Sequence, residues 1–283
     1  MSAVVKPKVP IAVRVAVAAV LAVIFLYVVP FVVPGYLVSQ FATVLVFAIA
    51  IVGINLVTGF GGAITLGHAA FVALGSYTTA ILVVRYGWNP YATIPVSAAL
   101  GWIAGWCLGF PALRLPGLYL ALVLSITVPP LLKRFDVFTG GVQGLNVGNP
   151  EAPTFLPIDD SQWIYFVCLA VAAVLYIVAR RILSGPLRRA LVAARDNQLV
   201  AAVMGVDRAT LTTATFAMSS LYAGVAGSLY AMIVGFVSPD TFNVMMSLSL
   251  FVGAVVGGIT SLNGAIVGAM FIQFVPIWAS DID

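Results

Sequence analysis

The chain contains 283 residues, of which 62% are hydrophobic and 8% are charged, and its formal net charge at pH 7 is +4. With a mean hydropathy of +1.13, it has too little polar surface for a water-soluble globule of this length, and the composition predicts a membrane protein. The Lys and Arg residues are scattered between apolar stretches, so the positive charge does not indicate a nucleic-acid-binding face.

Long uncharged stretches predict about nine membrane spans. No Asp, Glu, Lys or Arg occurs between Val15 and Val84, and because roughly 20 apolar residues cross a bilayer core, this stretch alone holds about three spans. Its first part has full spanning length and no small-residue cleavage site, which predicts an uncleaved first helix instead of a signal peptide. Charges, prolines and glycine clusters place the spans near residues 11–33, 37–57, 63–84, 91–110, 115–132, 162–180, 211–233, 244–259 and 264–280.

The predicted fold class is all-α: a polytopic transmembrane helical bundle of about nine spans, within a range of about eight to ten, with one discontinuous Gly-rich helix. Residues 1–283 are predicted to form a single transmembrane domain. With the N-terminus in the cytoplasm, only Arg85, Lys133 and Arg134 of the 13 basic residues lie outside, as the positive-inside rule demands. Segment 134–161 is then an external loop and segment 181–210 a cytoplasmic loop of a multi-pass inner (cytoplasmic) membrane protein.

The cytoplasmic loop contains a predicted short amphipathic helix. Pro186 follows Gly185 and suits the first helical turn, and Leu187, Leu191 and Ala194 recur on the face opposite three arginines. Such a helix lies outside the membrane. The residues alone leave two interpretations open: the helix lies on anionic lipid headgroups, or it docks onto a protein partner.

Glycines at four-residue spacing predict a helix-packing face. Gly101, Gly105 and Gly109 line one side of a single helix and let another backbone approach closely. This face packs either within the chain or against a second membrane subunit.

Two Gly-rich segments, residues 55–68 and 257–264, interrupt predicted spans. Broken helices at membrane depth are tolerated only where the freed backbone groups face protein or a watery cavity, and transporters commonly place substrate sites there. In the second segment, Ser261 and Asn263 are predicted to form turns, and the pair of segments suggests a repeated architecture. The polar residues of the first segment either line a path or form hydrogen bonds between helices. The candidates for a translocation path are Asn55, Thr58, Gly61, Gly62, Thr65 and His68.

Motifs for ATP hydrolysis and ion coupling do not occur in the sequence. It contains no G-x-x-x-x-G-K-[ST] segment, so the chain does not hydrolyse ATP by itself. No predicted span carries an acidic or basic residue suited to coupling a proton or sodium gradient. Cys107, Cys168 and the single histidine show no metal-ligand spacing, and no nucleophile, base and orienting group occur together. We therefore predict no catalytic, cofactor-binding or metal-binding residues, and energy for any pumping must enter from outside the bilayer.

Seven segments, in order along most of the chain, resemble the LivM-type permeases, the membrane subunits of branched-chain amino-acid ABC importers. The segments are residues 53–78 (GINLVTGFGGAITLGHAAFVALGSYT), 113–122 (LRLPGLYLAL), 139–145 (TGGVQGL), 185–206 (GPLRRALVAARDNQLVAAVMGV), 223–231 (AGVAGSLYA), 235–242 (GFVSPDTF) and 257–269 (GGITSLNGAIVGA). The resemblance implies a permease domain that pairs in the lipid bilayer with a second, homologous permease subunit. It also implies two ATP-binding cassette subunits and an extracytoplasmic substrate-binding protein, with no cofactor and no nucleic acid.

The resemblance further implies that the cytoplasmic loop is the coupling element, with its short helix seated in a cleft of the ATPase. Two departures from the family are visible. Val200 precedes Ala201 and Ala202, with Gly205 three positions later, where the usual importer loop begins Glu-Ala-Ala and has glycine four positions after the last alanine. The family also continues through another helix and a cytoplasmic tail, which predicts a truncated end and a tenth span. Carried onto this chain, the coupling role falls to Arg188, Arg189, Ala193, Arg195, Asn197, Ala201, Ala202 and Gly205.

The resulting expectation is a transport subunit, not an enzyme: an ABC importer permease for branched-chain, hydrophobic amino acids driven by separate ATP-binding subunits. Urea or a short-chain amide is the alternative cargo, because the same architecture serves those substrates. An ATPase-independent channel is the alternative mechanism.

Overall fold

The computed structural model describes residues 29–114, 117–153 and 158–280, and within these ranges the chain is mainly helical, as the predicted all-α class requires. Two-residue strands β1 (Leu145–Asn146) and β2 (Phe236–Val237) pair antiparallel. A π-helix covers Asn55–Phe60, and 3-10 turns cover Gly141–Gln143 and Pro239–Phe242. The α-helices are α1 (Val29–Val32), α2 (Gly35–Ile54), α3 (His68–Tyr86), α4 (Pro90–Arg114), α5 (Gly117–Arg134), α6 (Asp136–Thr139), α7 (Asp160–Ser184), α8 (Pro186–Asp196), α9 (Gln198–Val203), α10 (Arg208–Val234), α11 (Val244–Gly257) and α12 (Gly264–Ser280).

Helix α10 lies at the centre of the bundle, where it packs against α2, α3 and α4. Its interior positions, among them Phe216 and Leu229, are buried, as expected for a helix surrounded by other helices. The perimeter keeps large apolar side chains on its surface, such as Trp106 on α4 and Val174 and Ile177 on α7. An apolar outer surface of this kind suits contact with lipid.

Five helices in the described ranges are long and apolar enough to cross a membrane, and Val244–Gly257 and Gly264–Ala279 are shorter apolar helices. These helices support a multi-pass membrane protein but do not confirm the predicted count of about nine spans. The predicted first span, 11–33, falls mostly on residues 1–28, outside the described part of the chain. The five long segments are Gly35–Phe60, His68–Tyr86, Pro90–Pro111, Asp160–Ser184 and Arg208–Val234.

The other predicted spans coincide with helices to within four residues at each end, with one exception. The span predicted over 63–84 begins only at His68, because residues 61–67 are not helical. Gly62 there has a φ of +74°, a left-handed conformation that interrupts a right-handed helix and is open to glycine without strain. The predicted start of this span is therefore wrong by five residues.

Segment 134–161 was predicted to be a loop, and it folds against the connection between α10 and α11. It contains α6, a 3-10 turn and β1, whose Leu145 stands opposite Val237 of β2. At the end of α5, the Lys133 ammonium lies 2.6 Å from the Asp240 carboxylate. This exposed ion pair adds little stability by itself, so the strand pairing and the buried Leu145 hold the loop in place.

Glycines allow α4 to approach α10 closely. A Cβ atom at Gly101 would lie 2.5 Å from the Ser220 carbonyl oxygen, and one at Gly105 would lie 2.5 Å from the Ser220 hydroxyl. A Cβ at Gly109 would lie 2.8 Å from Thr213 Cα. The face predicted from the glycine spacing is therefore occupied by α10 of the same chain.

A cluster of fully buried hydroxyls joins α3, α4 and α10. Thr79 Oγ1 donates to Ser228 Oγ at 2.7 Å and lies 2.9 Å from Thr93 Oγ1. Ser97 Oγ is 3.5 Å from the same Thr79 atom. Because water is absent from the bilayer core, these groups bond to one another and to backbone carbonyls, as the Ser97 hydroxyl does to the Gly75 carbonyl.

We expect Thr79→Val to lower the free energy of unfolding by roughly 1 kcal/mol, since hydrogen bonds between membrane helices contribute about 0.6 kcal/mol on average and at most about 1.7 kcal/mol. Unfolding of the detergent-solubilised chain by a denaturing detergent measures the change. The neighbouring Thr78→Val is the matched control, because the Thr78 hydroxyl donates only to the Leu74 carbonyl of its own helix, at 2.7 Å. Equal losses in the two variants would contradict an inter-helix role for Thr79.

Candidate functional site

The predicted discontinuous Gly-rich helix is present, and its interruption begins with a π-helix. Helix α2 runs into the π-helix at Asn55–Phe60, whose six residues are all buried, and residues 61–67 are non-helical. Gly61 has little room for a side chain, because a Cβ there would lie 2.6 Å from the Val57 carbonyl oxygen. Short π-helical turns within longer helices are frequent at functional sites. We call residues 55–67 the first break, and residues 258–263, between α11 and α12, the second break.

The two breaks contact each other directly. Asn55 Nδ2 donates to the Ser261 carbonyl oxygen at 3.1 Å. A Cβ at Gly59 would lie only 1.8 Å from the Ile259 carbonyl oxygen, so backbone meets backbone at this point. The second break is therefore part of the same site as the first, although Asn55 and Ser261 are 206 positions apart in sequence.

Ser261 and Asn263, predicted to be turn formers, do more than shape the second break. Ser261 Oγ accepts from the Gly264 amide at 3.1 Å, as a turn residue does, but its carbonyl also receives Asn55. Asn263 Oδ1 accepts a hydrogen bond from the Tyr176 hydroxyl of α7. The second break is thus tied to both α7 and the first break.

His68, at the start of α3, is joined to α10 and α2 by a buried hydrogen-bond chain. Its Nε2 lies 2.7 Å from Ser219 Oγ, and the Ser219 hydroxyl donates to the Gly53 carbonyl at 2.6 Å. Since Ser219 gives its only proton to Gly53, it accepts from His68, which places a proton on Nε2. One ring nitrogen of His68 therefore joins helices, while Nδ1 has no hydrogen-bond partner in the described ranges.

Two serines from other helices support the junction between the first break and α3. Ser125 of α5 donates to the Leu66 carbonyl at 2.8 Å, and Ser247 of α11 accepts from the Ala69 amide at 3.1 Å. The two serine hydroxyls are 3.1 Å apart. Because Ser125 has used its proton on Leu66, Ser247 donates to Ser125. Backbone groups freed by the break are satisfied in this way by side chains distant in sequence.

The first break also holds buried polar atoms that lack a partner among the described residues, namely Asn55 Oδ1 and Thr58 Oγ1. Asn55 is fully buried and Thr58 is 8% exposed. Native proteins leave few buried polar groups unpaired, so these two atoms have spare capacity to bond water or a solute. Thr65 is also buried, and its hydroxyl accepts from the Gly67 amide at 3.5 Å.

The predicted amphipathic helix forms as α8, beginning at Pro186 and ending at Asp196, and it lies against the first break. Arg195 Nη1 donates to the Gly59 carbonyl oxygen at 2.8 Å. The Arg188 guanidinium lies over the Phe60 ring, 5.8 Å from its centroid. Two of the candidate coupling residues, Arg188 and Arg195, thus contact Gly59 and Phe60, which lie between the candidate path residues Thr58 and Gly61.

Helix α9 and the turn that follows it expose large apolar side chains. Leu199, Val203 and Met204 are 82%, 87% and 78% exposed. Asn197 Oδ1 accepts from the Leu199 amide at 3.1 Å at the start of this helix, and Gly205 ends it with a φ of +82°. These exposed apolar side chains form a candidate contact surface.

The remaining coupling candidates divide between surface and interior. Arg189, Ala193 and Ala202 are exposed, whereas Ala201 is buried. After Gly205, Asp207 caps α10, and hydrogen bonds from the Thr210 hydroxyl and the Ala209 amide lower the pKa of its carboxyl. These hydrogen bonds mark the end of the loop and the start of α10.

Sequence reasoning missed the residues that hold the site together, above all Gly59, Ser125, Ser219 and Ser247. Serines inside apolar helices give no periodic signal that separates a neutral packing position from a hydrogen-bonding one. Leu199, Val203 and Met204 were also missed, although apolar side chains between Asn197 and Gly205, in a loop rich in arginine, were a usable signal.

The family of branched-chain amino acid transport system permease components matches residues 36–282. The chain belongs to this family. The resemblance to LivM-type permeases inferred from the seven segments is thereby confirmed, and the site described above lies entirely within the matched residues.

Individual relatives agree with the family. The chain is 30% identical, over 86% of its length, to the high-affinity branched-chain amino acid transport system permease protein LivM of Escherichia coli (strain K12), and the match spans 63% of that protein. It is 23% identical to LivH of the same strain, over 80% of the chain and 79% of LivH. A probable LivM of Methanocaldococcus jannaschii is 26% identical, over 81% of the chain and 68% of that protein. No solved structure matches the chain.

Proposed function

We propose that the chain is a translocation subunit of an ABC importer for branched-chain amino acids. Family membership supports the transport role, and the observation that carries the ATP-driven mechanism is the α8–α9 segment. Its inner side holds the first break through Arg195, while its outer side exposes Leu199, Val203 and Met204. A loop with one side on a broken helix and an apolar face outward is suited to dock on an ATPase.

The proposed assembly contains a second permease subunit, because the chain is similar to both LivM and LivH, two permease proteins of one kind of transport system. Two ATP-binding cassette subunits and an extracytoplasmic binding protein complete it. The chain is proposed to form a single permease domain of about nine spans in the inner membrane, with its N-terminus in the cytoplasm, as the charge distribution favours. ATP is hydrolysed by the partner subunits, since the chain has no phosphate-cradling motif.

The proposed path runs along the first break, past Asn55 and Thr58, whose unpaired polar atoms supply the few hydrogen bonds that the polar end of an amino acid needs. An apolar side chain such as that of leucine needs no further polar groups. Selectivity then resides mainly in the binding protein.

Uptake of radiolabelled leucine and urea, in cells that lack the chain and in cells complemented with it, tests the proposal. We expect leucine uptake that requires both the chain and its ATPase. Uptake of urea without uptake of leucine would show that urea is the cargo. Leucine uptake that continues without the ATPase would show that the chain acts as a channel.

Docking through α9 has its own test. We expect Leu199→Glu with Met204→Glu to leave membrane insertion intact but to abolish co-purification of the ATPase, because the substitutions place charge on the apolar contact. Arg181→Gln, at an exposed arginine on α7, is the control. Undiminished co-purification with the double variant would remove α9 from the interface.

A further inference from the structure

We propose that Arg195 is the positioning residue through which the α8–α9 segment moves the first break, and that the Arg195 guanidinium faces the path and not the ATPase. This inference rests on the proposed function and assigns a separate task to one of its residues. Its starting observation is the 2.8 Å hydrogen bond from Arg195 Nη1 to the Gly59 carbonyl oxygen, which joins residues 136 positions apart.

The Gly59 carbonyl is a suitable hydrogen-bond acceptor for the positively charged guanidinium of Arg195. It lies in the last turn of the π-helix, where backbone carbonyls lack partners within the helix and the helix dipole is negative. A charge-assisted hydrogen bond at this end is stronger than a neutral one. Arg195 also donates from Nε to the Asp196 carboxylate at 2.9 Å, an exposed contact that adds little stability by itself.

The first break provides the space that the Arg195 side chain occupies. Gly62 has a φ of +74°, and a Cβ there would lie 2.5 Å from Arg195 Cγ. The absent side chain of Gly62 leaves the space that the arginine stem fills. Arg195 is thus held by a hydrogen bond at its tip and by close packing along its stem.

Contacts continue from Arg195 across the site. Gly59, its acceptor, packs on the Ile259 carbonyl of the second break, and Phe60, the next residue, lies under Arg188 of the same helix α8. Any displacement of α8 must therefore shift the π-helix or break these contacts. The Arg195 side chain is 34% exposed, and its Nη1 atom is the one that reaches the first break.

Reconstituted complexes in liposomes test the inference, with the chain present as Arg195→Gln, Arg195→Lys, Gly62→Ala or the control Arg181→Gln. The readouts are co-purified ATPase, the ATP hydrolysis rate and the number of ATP molecules consumed per leucine imported. We expect Arg195→Gln to retain its ATPase and to consume roughly ten-fold more ATP per leucine, within the 5–150-fold range of typical coupling between sites. Arg195→Lys restores part of the coupling, because lysine keeps the charge but loses the planar fork.

Gly62→Ala distinguishes the position of Arg195 from its charge, because this variant keeps the arginine but fills the space that its stem occupies. We expect Gly62→Ala to lose coupling as well. The inference is overturned if Arg195→Gln or Gly62→Ala consumes ATP per leucine as Arg181→Gln does. It is also overturned if Arg195→Gln no longer co-purifies the ATPase, since Arg195 would then face the partner. If the unsubstituted complex imports no leucine with ATP, the proposed function fails, and this inference fails with it.

Discussion

Gly59→Ala is expected to abolish transport and to lower the free energy of unfolding by about 1–3 kcal/mol, the usual range for overpacking a tight interior. The new methyl group would lie 1.8 Å from the Ile259 carbonyl oxygen, which belongs to the backbone and cannot rotate away. The two breaks must separate to admit it. That separation also strains the hydrogen bond from Asn55 to Ser261 and the one from Arg195 to Gly59.

Thermal unfolding of the detergent-solubilised chain and leucine uptake together measure this effect. Gly35→Ala is the matched control, because a Cβ at Gly35, in the first turn of α2, would have its nearest neighbour at an ordinary 3.4 Å. We expect the control to transport normally. Normal uptake by Gly59→Ala would show that contact between the breaks is not needed for transport.

Ser219→Ala is expected to destabilise the chain by about 1–3 kcal/mol, the cost of leaving a buried polar group unpaired. Ser219 serves two neighbours at once, since it accepts from His68 Nε2 and donates to the Gly53 carbonyl. Alanine removes both bonds and leaves the His68 N–H buried without an acceptor. Because His68 is the first residue of α3, the loss also loosens the end of the first break.

Ser220 provides a control one residue away on the same helix. Ser219 and Ser220 are both 1% exposed, but Ser220 Oγ has no hydrogen-bond partner among the described residues. Ser220→Ala should therefore be neutral or slightly stabilising when unfolding in detergent is compared. A loss in Ser220→Ala as large as that in Ser219→Ala would show that packing, and not the His68 network, explains the effect.

The segments that span the membrane could be predicted because each is a local property of the chain. Uncharged apolar runs of spanning length, broken by glycine, proline or charge, indicated seven spans that the structure shows as helices with closely similar bounds. Pro186 after Gly185 likewise predicted where α8 begins. The family could also be recognised from the sequence, because each of its seven segments is a continuous run of residues.

The start of α3 was misjudged because residues 63–67 continue the apolar run without a break in composition, yet they are not helical and the helix begins only at His68. The role of Gly59 was hidden for a related reason. A glycine that interrupts a helix and a glycine that receives another backbone look alike in sequence, and only the Ile259 carbonyl beside Gly59 distinguishes them.

The sequence by itself determined that this protein belongs in lipid, where its helices lie and which two segments are broken, because hydrophobicity and backbone preference act over a few neighbouring residues. Only the tertiary structure decided that the two breaks meet and that Arg195 reaches the first of them from α8. These contacts join residues 206 and 136 positions apart. They depend on how α2, α8 and α12 pack around the centre of the bundle, since hydrogen bonds and steric contacts act over a few ångströms in space whatever the separation along the chain.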